Sequence, residues 1–205
     1  MVKAYNIHKY LVPLVIYIAI ISLIFLMEQF ISGPYFISAS ALLMLSVPLI
    51  LKTDMSDLRW DRRGVLMGIA VSIVILLIYV AILAGYGLYS GKSLTFNTNK
   101  HWYEFILTQL LLVALPEEVF FRGFLQQRLG NTLKGIVAVS VLFALGHFVT
   151  LCLGGGHGLS VCSQAVLTFF PSLVMGYLYM ASGTLWASII FHFLANIVNI
   201  SAGFS

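Results

Sequence analysis

The sequence predicts an all-α membrane protein, a polytopic bundle of about seven transmembrane helices. Of the 205 residues, 60% are hydrophobic and only 9% are charged, whereas soluble domains carry about 25% charged residues. The mean hydropathy is +1.01. Lipid offers no partner to unpaired backbone groups, so each segment that crosses the bilayer must be helical. The net charge of +4 is small and spread through loops, which indicates membrane orientation rather than nucleic-acid binding.

Seven segments approach the roughly 20 apolar residues that one crossing needs. The first follows Lys3 and Lys9 and ends at Glu28 without a small-x-small cleavage pattern, so we interpret it as a retained span rather than a signal peptide. The charged residues 52–63 and the polar residues 90–101 are the clearest loops. The seven predicted spans are Tyr10–Met27, Tyr35–Leu51, Gly64–Tyr89, Trp102–Leu129, Gly135–Leu153, Val161–Met180 and Leu185–Ile200.

The placement of lysine and arginine predicts how the bundle is oriented. With seven spans, most basic loop residues fall on the side of the N-terminus, and only Lys92 and Lys100 fall on the other side. The positive-inside rule then places the N-terminus in the cytoplasm and the C-terminus outside, in a multi-pass protein of the cell (inner or plasma) membrane. The basic residues on the N-terminal side are Lys3, Lys9, Lys52, Arg59, Arg62, Arg63, Arg128 and Lys134.

We expect one continuous membrane domain, in which residues 1–101 form N-terminal helices and residues 102–205 form a core of helices with reactive side chains. Charged groups in lipid-spanning sequence are expensive, so chemistry is the first explanation to consider for them. The polar positions are Glu117, Glu118 and Arg122 in the fourth span, His147 in the fifth, and His192 and Asn196 in the seventh. At a rise of 1.5 Å per residue, Glu117, His147, His192 and Asn196 lie about 14–20 Å from the cytoplasmic ends of their helices.

The spacing within the fourth span separates the two glutamates. Glu118 and Arg122 are four residues apart and share a helix face, so the guanidinium neutralises and orients that carboxylate. Glu117 is rotated by about 100° and points elsewhere in the bundle. Held away from bulk water and paired with His147, Glu117 would act as a base that activates water for attack on a carbonyl.

Two further side chains are suited to stabilise the oxyanion that such an attack creates. His192 and Asn196 are also four residues apart, and both side chains can donate hydrogen bonds. Asn199 lies close enough along the same helix to share or replace the role of Asn196. This arrangement is that of a hydrolase without a serine, cysteine or threonine nucleophile.

Three motifs follow one another along the chain: Glu117-Glu118-Val-Phe-Phe-Arg122, Phe143-Ala-Leu-Gly-His147 and His192-Phe-Leu-Ala-Asn196. In this order they resemble the CAAX prenyl protease and bacteriocin-processing family, the glutamate-type intramembrane proteases. The resemblance covers roughly residues 102–200 and implies a helical membrane endopeptidase. It implies Glu117 as the base, His147 as its partner, His192 and Asn196 as oxyanion donors, and Glu118 and Arg122 in support.

Several alternatives stay open from the sequence. The same residues, Glu117, His147 and His192, would suit a zinc site, although no HExxH helix is present. A transporter with a proton relay would use the same groups, but no inverted repeat is evident. A catalytically silent immunity or scaffolding protein is the third alternative. We expect no organic cofactor, a membrane-associated protein or peptide as substrate, and contact with the lipid bilayer; nothing indicates the oligomeric state.

Two cysteines flank a glycine-rich loop near the predicted outer face. Cys152 and Cys162 would meet an oxidising compartment there, where a disulfide can form. Two free thiols beside a flexible loop are the other interpretation, and the sequence favours it slightly.

Overall fold

The computed structural model describes residues 2–97, 101–155 and 158–205, and over these the chain forms seven helical segments and two short strands. Each helix coincides with a predicted span to within a few residues, apart from an extension of the first helix toward the N-terminus. Lys100, one of the basic residues used for the orientation, lies outside the described residues. The first three helices are Val2–Glu28, Gly33–Ile50 and Arg62–Ser90. The fourth begins at Trp102 and ends at Leu129, the fifth is Leu133–His147 continued by Phe148–Gly155, the sixth combines Leu159–Leu167 and Phe169–Ser182, and the seventh is Leu185–Ser201.

Five of these helices are long and apolar enough to cross a membrane. The other two, the fourth and the seventh, carry all predicted site residues except His147. Acidic and basic groups interrupt the apolar sequence of the fourth helix, and the seventh has 17 residues. The prediction of a helical membrane bundle is confirmed. The five are Tyr10–Glu28, Gly33–Ile50, Arg62–Ser90, Leu133–Gly154 and Leu159–Ser182.

The connections between helices gather at two ends of the bundle, as alternating spans require. At one end the backbone carbonyl of Asp57 accepts a hydrogen bond from Thr184 Oγ1 at 3.1 Å, and its carboxylate accepts one from Gln127 Nε2 at 2.8 Å. These contacts join the loop after the second helix to the last turn of the fourth helix and to the turn between the sixth and seventh helices. At the other end, strands Leu94–Phe96 and Ala202–Phe204 pair antiparallel. Successive helices therefore run in alternating directions through the bundle. The assignment of the first end to the cytoplasm stays a prediction.

The third helix packs tightly against the seventh through small residues. A Cβ on Gly68 would lie 2.7 Å from the backbone oxygen of Ala187, and Ser72, one turn further, is fully buried. Gly64 faces the side chain of Thr184 in the same way. Small residues at four-residue spacing let helix backbones approach closely in membranes. The third helix thus holds the seventh helix, which carries two of the predicted site residues.

Cys152 and Cys162 form a disulfide, with their Cα atoms 4.7 Å apart. The bond joins the end of the fifth helix to the first turns of the sixth. The disulfide alternative is therefore the one found, and the slightly favoured interpretation of two free thiols is wrong. Sequence alone cannot decide this, because pairing depends on how the intervening loop returns the chain.

Candidate active site

The fourth helix is widened on both sides of the glutamate pair. Residues Thr108–Ala114 and Val119–Gln126 are π-helical, and only the short α-helical turn Leu115–Glu118 separates them. Pro116 lacks a backbone N–H, and its ring would clash with the carbonyl four residues earlier in a regular α-helix. Widening before the proline relieves that clash. Single π-helical turns inside α-helices occur frequently at functional sites.

Glu118 and Arg122 form the buried ion pair that the sequence predicts. Arg122 Nη1 donates to Glu118 Oε1 at 2.9 Å, and both side chains are fully buried. Arg122 Nη2 donates to two oxygens of Ser172 on the sixth helix, to Oγ at 2.8 Å and to the backbone carbonyl at 3.1 Å. The guanidinium also lies over the ring of Phe143, 5.0 Å from its centroid.

His192 is held by the same carboxylate. Its Nδ1 lies 2.8 Å from Glu118 Oε1. Arg122 keeps Glu118 in the ionised, accepting form, so the proton of this hydrogen bond is on Nδ1 of the imidazole. The other ring nitrogen, Nε2, faces Glu117. The sequence places His192 beside Asn196, whereas this contact with Glu118 depends on how the fourth and seventh helices pack.

His147 is oriented by the backbone of its own helix. Its Nδ1 lies 3.0 Å from the carbonyl oxygen of Phe143, and because a carbonyl only accepts, Nδ1 carries the proton. The Phe143 ring lies alongside the imidazole, with 4.4 Å between ring centroids, and this contact holds its plane. In the neutral imidazole, Nε2 therefore has a free lone pair, and it is the nitrogen that faces Glu117.

Glu117 lies between the two imidazoles. Its Oε2 is 4.0 Å from His147 Nε2 and 3.8 Å from His192 Nε2. Both distances exceed a direct hydrogen bond, and a bridging water is the usual mediator of a polar contact at such a distance. The side chains of His147 and Glu117 are 24% and 17% exposed, whereas that of His192 is 6% exposed. These three side chains form a glutamate–histidine cluster, which is therefore accessible from the side of His147.

Asn196 is held by a residue that the sequence analysis did not select. Its Nδ2 donates to Gln109 Oε1 at 3.1 Å, which joins the seventh helix to the first π-helical turn of the fourth. Only one of its two amide hydrogens is used in this bond. Asn199 accepts a hydrogen bond at 3.0 Å from the hydroxyl of Tyr79 on the third helix. The two asparagines thus have different partners on different helices.

Two supporting residues, Ser172 and Gln109, were missed by sequence reasoning. Gln109 was detectable as an amide within an apolar run. Ser172 gives no such signal, since small hydroxyl residues are common in membrane helices and back-bond to their own helix. Among the described residues, no three His, Cys, Asp or Glu side chains are grouped so as to hold a metal ion.

The fold and the site together define a polytopic membrane protein whose helices enclose a glutamate flanked by two histidines and a buried Glu–Arg pair. Residues 99–198 match the family model described as Type II CAAX prenyl endopeptidase Rce1-like. The matched region contains all three motifs, and their resemblance to the CAAX protease family is confirmed. Comparison with curated proteins and with solved structures gives no significant match.

Proposed function

We propose that this protein is an intramembrane endopeptidase that hydrolyses a peptide bond with a water molecule activated by Glu117 and His147. One observation carries the proposal: Glu117 Oε2 lies 3.8–4.0 Å from the Nε2 atoms of His192 and His147. Both imidazoles hold their Nδ1 protons on fixed acceptors, so their orientation is set before any substrate binds. Preorganised groups of this kind lower the barrier most, because they need no rearrangement during the reaction.

The water is polarised from two directions. The carboxylate of Glu117 takes one proton from it, and the lone pair on His147 Nε2 accepts a hydrogen bond from the other hydrogen. The water oxygen bonds to the carbonyl carbon, whose π electrons move to the carbonyl oxygen. The proton on Glu117 then passes to the leaving nitrogen, the C–N bond breaks, and a carboxyl and an amine terminus are released.

His192 and Asn196 stabilise the oxyanion of the tetrahedral intermediate. Asn196 keeps one amide hydrogen free beside its bond to Gln109. His192 already donates through Nδ1, so Nε2 donates to the oxyanion in the imidazolium form, whose second proton comes from solvent before the attack and stays on the ring through it. The carboxylate of Glu118 contacts that ring directly and is the counter-charge for the imidazolium. In this assignment the Glu118–Arg122 pair supports the site and does not touch the reacting atoms.

The substrate in this proposal is a membrane-associated protein or peptide whose scissile bond reaches the depth of Glu117. The description of the family model makes a prenylated CAAX-type peptide the first probe to try. We place the protein in the cell (inner or plasma) membrane, with no organic cofactor. A zinc ion held by Glu117, His147 and His192 is the alternative, although these side chains are not grouped as a metal site in the part of the chain that the structure describes. Under this alternative, activity would be lost to a chelator and restored by zinc.

A comparison of protein termini tests the proposal. Membranes from cells with the wild-type protein, Glu117→Gln or Glu104→Gln are analysed for N- and C-terminal peptides. Glu104 lies in the first turn of the same helix and its side chain is 80% exposed, so it is a matched control. We expect at least one membrane protein to gain a new terminus with the wild type and with Glu104→Gln, but not with Glu117→Gln. Identical termini in all three samples would contradict a peptidase.

A further inference from the structure

We propose that Ser172 is a positioning residue, which acts through Arg122 and Glu118 to fix the imidazole of His192. The catalytic consequence of this inference rests on the proposed peptidase function, whereas the effect on His192 does not. Ser172 lies on the sixth helix, which contributes no side chain to the glutamate–histidine cluster. Its hydroxyl and its carbonyl are the points at which that helix contacts the buried guanidinium.

The connection runs through three hydrogen bonds between buried groups. Ser172 Oγ accepts from Arg122 Nη2 at 2.8 Å, and Arg122 Nη1 donates to Glu118 Oε1 at 2.9 Å. The same Oε1 lies 2.8 Å from His192 Nδ1. Ser172, Arg122 and Glu118 are fully buried, and His192 is 5% exposed. Water therefore cannot replace a partner that is removed, and a displacement at one end is transmitted along the series.

A second contact between the same two helices explains why loss of the Ser172 hydroxyl would affect mainly the guanidinium of Arg122. Gln126, one turn after Arg122, donates to the carbonyl of Gly176 at 3.0 Å, one turn after Ser172. That contact holds the fourth and sixth helices together at a position with no charged group. Loss of the Ser172 hydroxyl would therefore leave the helix pair assembled and release mainly the guanidinium.

Without the hydroxyl, the carbonyl of Ser172 is the one acceptor that the described residues leave to Arg122 Nη2. The guanidinium can then turn in its plane, and Glu118 Oε1 and His192 Nδ1 follow it. A misplacement of about 1 Å in a catalytic group can reduce the rate about 100-fold. We expect Ser172→Ala to lower kcat by about 10–100-fold. KM should change by less than about twofold, because Ser172 touches no substrate.

The experiment reads the His192 ring directly. The protein with its five histidines labelled with ¹⁵N is placed in lipid nanodiscs, and its imidazole signals are recorded by NMR. His192→Gln assigns the His192 signals by their disappearance. Ser140→Ala is the matched control, because Ser140 is a buried serine on the fifth helix whose Oγ has no hydrogen-bond partner among the described residues.

We expect the Nδ1–H signal of His192 to shift or broaden in Ser172→Ala and to stay unchanged in Ser140→Ala. If Ser172→Ala does not fold, Ser172→Cys keeps nearly the same volume, supplies only a weak acceptor and should change the signal in the same direction. An unchanged His192 signal in the folded variant would overturn the inference. This readout needs no substrate, so it decides the role of Ser172 even if Glu117→Gln shows that the protein is not a peptidase.

Once a cleavable substrate is known, kcat and KM of the two variants provide a second test. A fall in kcat at constant KM in Ser172→Ala, absent in Ser140→Ala, supports the role. Equal losses of kcat in both variants would contradict it, since any buried serine would then have the same effect.

Discussion

Replacing Arg122 by methionine should destabilise the protein strongly, and the structure gives the reason. Methionine fills much of the same space but leaves the Glu118 carboxylate fully buried without the guanidinium, while the hydrogen bond with His192 Nδ1 remains. Removing one partner of a buried ion pair costs about 3–5 kcal/mol, because the other charge is left uncompensated. The two hydrogen bonds to Ser172 are lost in the same step. A cost of about 3 kcal/mol raises the equilibrium constant of unfolding about 100-fold.

Unfolding by SDS in mixed micelles, followed by the fluorescence of the three tryptophans, measures this cost. Arg128→Met is the matched control on the same helix. Arg128 is exposed and lies 5.6 Å from the centroid of the Phe124 ring, so its replacement should cost about 0.5–1 kcal/mol.

A second substitution separates charge from packing. In Glu118→Gln/Arg122→Met the buried charge is gone and a neutral amide remains, so the cost should fall to about 1–3 kcal/mol. The double variant should therefore be more stable than Arg122→Met alone. The reasoning is refuted if Arg122→Met costs no more than Arg128→Met, or if adding Glu118→Gln destabilises the protein further.

Three further predictions concern the packing, the disulfide and the asparagines. Gly68→Ala should destabilise the protein by about 1–3 kcal/mol through overpacking, because the new Cβ would lie 2.7 Å from a backbone oxygen. Gly85→Ala is the control: a Cβ there has nothing within 4 Å, so the substitution should be neutral or stabilising in the same SDS assay. Cys152→Ser opens the disulfide and should cost about 2–4 kcal/mol; mass spectrometry should detect no alkylated thiol in the unreduced wild type, and alkylation there would contradict the pairing. Asn196→Ala should lower kcat about 100–1,000-fold as a lost oxyanion donor, whereas Asn199→Ala should change it by less than about threefold; equal losses would count against the distinct roles.

The helices and the buried ion pair were predictable from the sequence because both depend on short-range rules. Apolar length predicts a crossing, and the boundaries follow from charged or polar loops on either side. The pairing of Glu118 with Arg122 depends only on their four-residue spacing within one helix. The separation of Glu117 from Glu118 follows from the same helical geometry.

The remaining contacts of the site depend on how helices pack, and no local pattern specifies them. His192 was expected beside Asn196, yet its Nδ1 contacts Glu118, 74 residues earlier in the chain. The hydrogen bonds of Ser172 with Arg122 and of Gln109 with Asn196 likewise depend on how the helices pack. The π-helical turns around Leu115–Glu118 were also missed, since a proline predicts a disturbance but not which form of helix absorbs it.

The central claim is that Glu117 activates the attacking water, and turnover of purified Glu117→Gln tests it most directly. Wild type, Glu117→Gln and Glu104→Gln are compared in liposomes on a substrate found by the terminal comparison, with SDS unfolding as the check on folding. Loss of a general base typically lowers kcat by about 10²–10⁴-fold. We expect the kcat of Glu117→Gln to fall by about this much, while its unfolding midpoint stays unchanged. A folded Glu117→Gln variant with wild-type kcat would contradict the account.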